Sequence, residues 1–125
     1  MENKRSVLVV DDNPDGLAAL CELVGSWGYD VDAAEDGWHA LELGRTRAPD
    51  IVITDMSLPD GGACDVIRNA KARTGAFVIA YTGWNHLRAA AIQAGADAFV
   101  LKPDIDGLER LLHASEVDAR AKTAP

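Results

Sequence analysis

The sequence predicts an α/β fold, a doubly wound parallel sheet of five strands with five helices. Five short strand-like runs alternate along the chain with five helix-like segments, and the connections between them are short. Four of the five runs are almost continuously apolar, which is typical of strands buried on both faces of a parallel sheet. Alternating strands and helices with short connections imply right-handed crossovers, which place helices on both faces of the sheet.

The strand-like runs are, in chain order, VLVV (7–10), YDVDAA (29–34), IVIT (51–54), AFVIAY (76–81) and AFVL (98–101). The second run alternates between apolar and polar residues, whereas the others are almost continuously apolar. Alternation indicates a strand with one solvated face, so the second strand is predicted at an edge of the sheet.

The helices are predicted from apolar residues at helical spacing. One stripe on the first helix consists of Leu17, Leu20, Cys21 and Val24, and one on the last helix of Ile105, Leu108, Leu111 and Leu112. A weaker pattern in the fourth helix consists of Leu87, Ala91, Ile92 and Ala94. Helix ends are marked by Gly28, Gly75 and Gly95, and Pro49 precedes the third strand. Residues 1–118 are predicted to form one domain, and residues 119–125 a frayed tail that has lost the apolar period.

Composition excludes several classes of protein. A length of 125 residues with 48% apolar and 26% charged residues fits one globular domain. The net charge of −8 argues against nonspecific nucleic-acid binding, which depends on lysines and arginines. Apolar stretches far shorter than the roughly 20 residues of a membrane span, and the lack of a signal-peptide core, predict a cytoplasmic protein without membrane contact.

The cysteines, tryptophans and histidines have simple structural interpretations. The two cysteines, Cys21 and Cys64, are too few and too far apart for a disulfide framework and are predicted as small core residues. Trp27 and Trp38 flank the second strand and are predicted to pack between helix and sheet. The three histidines are scattered over three helices and are predicted at the surface or at helix ends rather than at a metal.

Polar residues stand at the carboxyl ends of four predicted strands, where open α/β sheets bind their ligands. They are Asp11 and Asp12 after the first strand, Asp55 after the third, Thr82 and Gly83 after the fourth, and Lys102 and Pro103 after the fifth. Three carboxylates at one edge of a sheet are costly unless a cation lies among them. The pattern therefore indicates a site for a hard divalent metal, and helix capping alone does not account for all four positions.

The motifs VLVVDDNPD, DIVITDMSLPDG, VIAYTG and GADAFVLKP resemble those of the response-regulator receiver domains of two-component signalling, over nearly the whole chain. The resemblance implies the flavodoxin-like receiver fold with strand order 2-1-3-4-5. It also implies that Asp55 is phosphorylated by a histidine kinase or a histidine phosphotransfer protein. Asp11, Asp12 and Asp55 would hold Mg²⁺ together with the main-chain carbonyl of Ser57, which suits the oxygen ligands that Mg²⁺ requires.

By the same resemblance, Thr82 and Gly83 would bind the phosphoryl group and Lys102 would pair with it. Thr82 and Phe99 would be the switch residues, and the signal would leave through the face of the fourth helix, fifth strand and fifth helix. Phe99 has a second interpretation as an ordinary core residue of its strand. Pro103 would set the turn after Lys102, and its peptide bond is expected to be cis.

The chain departs from the family at several positions. Ala63 stands where the family usually has a glycine, with Gly61 and Gly62 just before it, and Trp84 stands where a small or polar residue is usual. The Trp84 ring is a candidate for shielding the phosphoryl group, for contacting a partner, or for packing as a surface aromatic on the end of the fourth helix. The segment from Thr82 to Lys102 and the third helix are each a residue or two shorter than usual. All these differences leave the predicted metal and phosphate ligands intact.

Three functions remain to be compared. The first is a phosphorylation switch, not an enzyme beyond its own phosphotransfer and dephosphorylation, which acts on a downstream protein or as a homodimer. Because no helix-turn-helix follows the last helix, it is expected not to bind DNA directly; it would be a single-domain regulator or part of a hybrid kinase. The second is a receiver that binds partners without phosphorylation. The third is a Mg²⁺-dependent hydrolase of the haloacid-dehalogenase type with Asp11 as nucleophile, which would need an acid where this chain has Asn13.

Overall fold

The computed structural model describes the backbone of residues 4–123 and the side chains of residues 4–115. The strands are Ser6–Val10 (β1), Asp30–Ala34 (β2), Ile51–Thr54 (β3), Phe77–Thr82 (β4) and Ala98–Leu101 (β5). They form one parallel sheet in the order β2-β1-β3-β4-β5. The predicted doubly wound fold and strand order are therefore confirmed, and the second strand lies at an edge as expected.

The helices lie between and after the strands. They are Pro14–Ser26 (α1), Gly37–Arg47 (α2), Ala63–Arg73 (α3), Arg88–Ala94 (α4) and Ile105–Thr123 (α5), with a single 3₁₀ turn at Asn85–Leu87 before α4. The stripes predicted for the first and last helices face a core. The predicted stripe of the fourth helix is wrong in part, since Ile92 is exposed and Leu87 lies before the helix. The helical backbone of α5 extends beyond residue 118, and the division between a domain of residues 1–118 and a tail of residues 119–125 stays a prediction. Within the described residues, no helix is both long enough and apolar enough to span a bilayer.

The sheet separates two hydrophobic cores. On one face, alternate residues of the central strands pack against α1 and α5, with Leu17, Leu20, Val24, Leu108 and Leu112 as the buried helical residues. On the other face, the intervening strand residues pack against α2, α3 and α4, with Ala40, Val66, Ile67, Ala70, Ala91 and Ala94. The first core is built from large aliphatic side chains, whereas many helical residues of the second are alanines. The helices on the second face can therefore approach the sheet closely.

Trp38 does not pack between helix and sheet, so that prediction is wrong. Its side chain is 75% exposed, because α2 turns Gly37 and Ala40 inward and position 38 falls on the outer side. Trp27 is partly buried against the α1 and α5 core, as predicted. Cys21 and Cys64 are free thiols at the margins of the two cores, half-buried rather than enclosed.

The strand register brings the polar strand ends to one edge of the sheet. Val10 on β1 pairs with Thr54 on β3, so the residues that follow them, Asp11 and Asp55, emerge side by side. The backbone N–H of Asp55 extends this pairing by donating to the Val10 carbonyl at 2.9 Å. On the far side, the N–H of Lys102 donates to the Thr82 carbonyl at 2.9 Å. Sheet pairing thus continues into the loops that carry the candidate site.

Ala48, at the end of α2, has a left-handed backbone with φ 46° and ψ 63°. This conformation is unfavourable for a residue with a Cβ by about 1–2 kcal/mol. The following residue is Pro49, which favours an extended backbone at the preceding residue and so adds to the cost of the left-handed conformation of Ala48. Gly95 takes the equivalent C-terminal position of α4 with φ 116°, where glycine carries no such penalty.

Replacing Ala48 by glycine is expected to raise the free energy of unfolding by about 0.5–1 kcal/mol. Relief of the left-handed strain outweighs the roughly 0.4–1 kcal/mol by which glycine's greater freedom favours the unfolded chain. Urea unfolding followed by circular dichroism measures the difference, and Gly95→Ala is the converse control that should destabilise. A lower urea midpoint for Ala48→Gly would show that Ala48 is unstrained.

Candidate functional site

Three carboxylates meet at the carboxyl edge of the central strands. Asp11, Asp12 and Asp55 each offer an oxygen, and these oxygens all lie within 4.8 Å of one another. Asp11 is buried and Asp55 half-buried, while Asp12 is exposed at the mouth of the site. Like charges this close in a partly buried place repel one another unless cations neutralise them. The arrangement therefore favours binding of a cation, as the strand ends predict.

Lys102 supplies one of the opposing charges. Its ammonium donates to Asp11 Oδ2 at 2.8 Å and to Asp55 Oδ2 at 3.0 Å. Burial by itself would lower the pKa of Lys102, but the hydrogen bonds to Asp11 and Asp55 outweigh burial and raise that pKa above its ordinary value. The lysine is therefore cationic at neutral pH. One ammonium among three carboxylates leaves a net negative site that can still take up a divalent cation.

Backbone N–H groups fix the orientation of the Asp11 and Asp55 carboxylates. The N–H of Asn13 donates to Asp11 Oδ1 at 3.0 Å, and the N–H of Ser57 donates to Asp55 Oδ1 at 3.1 Å. Each carboxylate thus places one oxygen on the amide two residues ahead and its other oxygen on Lys102. Such short local turns are typical of aspartate in loops. They orient the two carboxylates within the site.

An open cleft surrounds these groups. It is lined by Asp11, Asp12, Asn13, Gly16, Asp55, Ser57, Gly83, Trp84 and Lys102. Seven of these are residues that the sequence singled out, and the fold brings them together. The sequence-based search missed Asn13 and Gly16 as lining residues. Asn13 is the N-cap of α1, its side chain accepting from the Gly16 N–H at 3.0 Å, and the Asn-Pro pair at the start of a helix is the signal that could have identified it.

Thr82 is not among the residues that line the cleft. Its side chain is fully buried at the end of β4, and its hydroxyl Oγ1 has no hydrogen-bond partner within the described part of the chain. A buried hydroxyl without a partner costs about 1–3 kcal/mol, so an additional acceptor near it would be stabilising. The neighbouring Gly83 does line the cleft. Thr82 therefore has an unused hydrogen-bonding capacity one residue away from the site.

Trp84 stands at the mouth of the cleft with 56% of its surface exposed. Its ring meets that of His86 edge-on, with 6.0 Å between centroids. His86, His39 and His113 are all exposed, as expected from their scattered positions. An exposed tryptophan at the rim leaves the site accessible while covering part of it with an apolar surface.

Phe99 is away from the cleft, three residues before Lys102 on β5. It is half-buried against the core formed with α2, α3 and α4, and the guanidinium of Arg88 lies 5.6 Å from its ring centroid. The contact between Arg88 and Phe99 is not predicted from the sequence, because nothing in the sequence pairs α4 with this ring. The peptide bond between Lys102 and Pro103 is cis, as expected.

Comparisons with known proteins agree with this geometry. A sequence model of the response regulator receiver domain matches residues 7–114. The chain is 35% identical over 120 residues to the transcriptional regulatory protein KdpE of Mycobacterium tuberculosis, covering 94% of this chain and 52% of KdpE. It is 31% identical over 102 residues to the DNA-binding response regulator MtrA of Mycolicibacterium smegmatis, covering 80% of this chain and 45% of MtrA. The chain thus spans about half the length of these two curated relatives.

Solved structures show the same fold over almost the entire chain. A response regulator receiver domain from Clostridium thermocellum superposes with a TM-score of 0.86 at 26% identity, covering 95% of this chain and 99% of that one. TrrA of Thermotoga maritima, a response regulator solved in complex with Mg²⁺-BeF, gives a TM-score of 0.82 at 29% identity, covering 89% and 98%. The family match, the relatives and the carboxylates at the strand ends support the same conclusion. The chain belongs to the response regulator receiver domains of two-component systems.

Proposed function

We propose that the domain is a cytoplasmic phosphorylation switch that accepts a phosphoryl group on Asp55, with Mg²⁺, from a histidine kinase or a histidine phosphotransfer protein. The observation that carries the proposal is the cluster of Asp11, Asp12 and Asp55, joined at its buried side by Lys102. The Asp55 carboxylate accepts the Ser57 N–H at Oδ1 and pairs with the Lys102 ammonium at Oδ2. Asp55 is thus a partly accessible nucleophile with a fixed orientation.

The reaction transfers a phosphoryl group from a histidine of the donor protein to Asp55. A carboxylate oxygen of Asp55 forms a bond to phosphorus as the phosphorus–nitrogen bond of the donor phosphohistidine breaks, and the electron pair leaves on the imidazole nitrogen. Lys102, already beside Asp55, is placed to offset negative charge on the phosphoryl oxygens. Little covalent work is required beyond positioning and charge neutralisation, which this site supplies.

The donor set fits Mg²⁺. Asp11, Asp12 and Asp55, with the main-chain carbonyl of Ser57, would hold the ion through oxygen ligands alone, in the open cleft where water can complete its shell. Bound there, Mg²⁺ would neutralise charge on the transferred phosphoryl group. The negative charge that Lys102 leaves uncompensated supports this assignment over a purely structural role for the acids.

An apolar groove beside the site supports docking of a donor protein. It is lined by Asp11, Gly16, Ala19, Leu20, Leu23, Tyr81, Lys102 and Ile105. The groove therefore combines apolar residues of α1 and α5 with two residues of the acidic site. A helix carrying a phosphohistidine could bury apolar side chains there while presenting its phosphoryl group toward Asp55.

The unpaired hydroxyl of Thr82 supports a route for the signal. A phosphoryl oxygen on Asp55 would give this hydroxyl the acceptor it lacks, so the loop after β4 would move toward the site and Phe99 would repack. The outgoing surface would be α4, β5 and α5, where Ile92 and Leu101 are exposed apolar side chains. A downstream protein or a second copy of the domain would bind this surface.

Peptide mapping tests the proposal. The domain is incubated with acetyl phosphate and Mg²⁺, and the modified residue is located after borohydride reduction of the acyl phosphate. Phosphate on Asp55 supports the switch, and phosphate on Asp11 would instead support a hydrolase. The hydrolase also needs an acid at position 13, where the Asn13 side chain is engaged as a helix cap. If no phosphodonor gives an adduct, the phosphorylation switch is refuted. The domain would then act as a phosphorylation-independent binding module with the receiver fold.

Replacing Trp84 by alanine is expected to accelerate loss of the phosphoryl group from Asp55 several-fold. The ring covers part of the cleft mouth, and its removal opens the acyl phosphate to water. The decay of the labelled adduct with time gives the rate. Trp38→Ala is the matched control, since Trp38 is also an exposed tryptophan but lies outside this cleft. Equal decay in all three proteins would show that Trp84 does not shield the site.

A further inference from the structure

Asp60, five residues beyond Asp55, joins the loop after β3 to the start of α2. Its carboxylate accepts the N–H of Trp38 at 2.9 Å, the N–H of Gly37 at 3.1 Å and the N–H of Gly62 at 3.2 Å. These bonds, with that from Trp38 the strongest, lower the pKa of Asp60 below its ordinary value, although partial desolvation opposes them. The carboxylate is therefore ionised at neutral pH and bridges two segments about 23 residues apart.

The bridge lies where two helices begin. Gly37 and Trp38 are the first residues of α2, and Gly62 immediately precedes α3. N–H groups in the first turn of a helix have no partner within that helix, and the helix dipole favours an anion beside them. The side chain of Asp36 caps only the His39 N–H of α2, and α3 has no side-chain cap of its own. Asp60 thus satisfies donors of both helix starts at once.

The two segments approach closely because glycines meet at the contact. A Cβ added to Gly37 would lie 2.9 Å from the Cα of Gly62, and one added to Gly62 would lie 3.2 Å from the Cα of Gly37. Both distances are shorter than ordinary carbon contacts, so side chains at these positions would push the loop and the helix apart. Asp60 and the two glycines therefore form a close contact between the backbone of the loop and the backbone of α2.

We infer that Asp60 is a positioning residue for phosphoryl acceptance, holding the far end of the loop of residues 55–62 in register with the site. Sheet pairing at Asp55 fixes the near end of this loop, and the bridge to α2 fixes the far end. Between the two anchors lies Ser57, whose amide orients the Asp55 carboxylate. The inference rests on the proposed function, in which the Ser57 carbonyl and Asp55 also hold Mg²⁺.

Loosening the far end should weaken the metal site without unfolding the domain. Asp60 is exposed, so its replacement leaves no cavity in either core. Ligands held by a rigid loop bind more tightly than the same ligands on a mobile one, because ordering the loop no longer opposes binding. We expect Asp60→Asn, which keeps one carbonyl acceptor and loses the charge, to raise the Kd for Mg²⁺ about 3–10-fold. This is less than the roughly 10–100-fold loss typical of removing an outer-shell partner, because Asp60 acts on the ligands only through the loop.

A second variant tests the bridge from its other side. Trp38→Pro removes the N–H that Asp60 accepts, and proline is tolerated in the first turn of a helix. Trp38→Ala keeps the N–H and removes only the exposed ring, so it is the matched control. Isothermal titration with MgCl₂ gives the Kd, and circular dichroism with urea unfolding shows that each variant is folded.

The expected pattern is a weaker Kd in Asp60→Asn and Trp38→Pro, no change in Trp38→Ala, and no further loss when Asp60→Asn and Trp38→Pro are combined. A merely stabilising bond would lower the urea midpoint and leave the Mg²⁺ affinity of the folded protein unchanged, which would overturn the inference. If the wild type binds Mg²⁺ and forms the Asp55 adduct while the folded variants do so equally well, only the positioning role fails. If the wild type forms no adduct but the Kd pattern holds, the proposed function fails and the positioning of the metal site stands.

Discussion

Replacing Asp55 by asparagine should abolish the alkali-labile phosphoryl adduct and leave the domain folded. An amide is not a nucleophile toward phosphorus under these conditions, so no acyl phosphate can form at this position. The side chains have the same shape, and the amide oxygen can still accept the N–H of Ser57, which now bonds Asp55 Oδ1 at 3.1 Å. Lys102 keeps its partner Asp11 at 2.8 Å. Loss of the adduct would therefore reflect chemistry rather than unfolding.

The stability of Asp55→Asn should equal or exceed that of the wild type. Removing one of three neighbouring carboxylates relieves their mutual repulsion, and this gain offsets the weakened hydrogen bond to Lys102. Labelling with radioactive acetyl phosphate measures the adduct, and urea unfolding measures stability. Asp65→Asn is the control, because Asp65 is an exposed acid that pairs only with Arg68 among the described ion pairs. A full-strength adduct in Asp55→Asn would identify Asp11 or another residue as the acceptor.

The strand-edge site is predictable from the sequence because parallel pairing is regular. Apolar runs that end in acids must bring those acids together when their strands are neighbours in register, as Val10 and Thr54 are. The same regularity predicts that Lys102 reaches the cluster from the end of β5. Strand pairing predicts the position of a residue better than the burial and hydrogen bonding of its side chain, as Thr82 shows. Its position at a strand end follows from the pattern, but the burial of its hydroxyl depends on packing around the loop.

Features that depend on contacts between loops are not visible in the sequence. Trp38 looks like a core residue because it is aromatic and flanks a strand, yet the packing of α2 turns Gly37 and Ala40 inward and leaves Trp38 exposed. Asp60 resembles any turn aspartate in Pro-Asp-Gly, and its role appears only when the fold brings α2 against the loop. Arg88 over Phe99 is similarly a product of tertiary packing.

Replacing Lys102 and replacing Asp12 are expected to have opposite effects on the stability of the metal-free domain and on Mg²⁺ binding. Lys102→Ala should destabilise the metal-free domain by about 2 kcal/mol, because two poorly exposed carboxylates lose a charged partner. Its affinity for Mg²⁺ should be unchanged or higher, since the ammonium shares the Asp11 and Asp55 oxygens with any bound cation. Asp12→Asn should leave the metal-free domain as stable as the wild type or more so, and should weaken Mg²⁺ binding about tenfold or more, because it removes one of the three carboxylates proposed as ligands.

Urea unfolding with and without Mg²⁺ separates these effects, because a ligand that binds only the folded state stabilises it in proportion to its affinity. Mg²⁺ should restore much of the stability lost in Lys102→Ala and should add little to Asp12→Asn. Lys71→Ala is the matched control, since Lys71 also bonds an aspartate, Asp97 at 2.9 Å, but far from the cluster. It should lower stability without changing the increment due to Mg²⁺. If Lys102→Ala instead lost its response to Mg²⁺, the lysine would be needed to organise the carboxylates, and its assignment as the partner of the phosphoryl group alone would have to be abandoned.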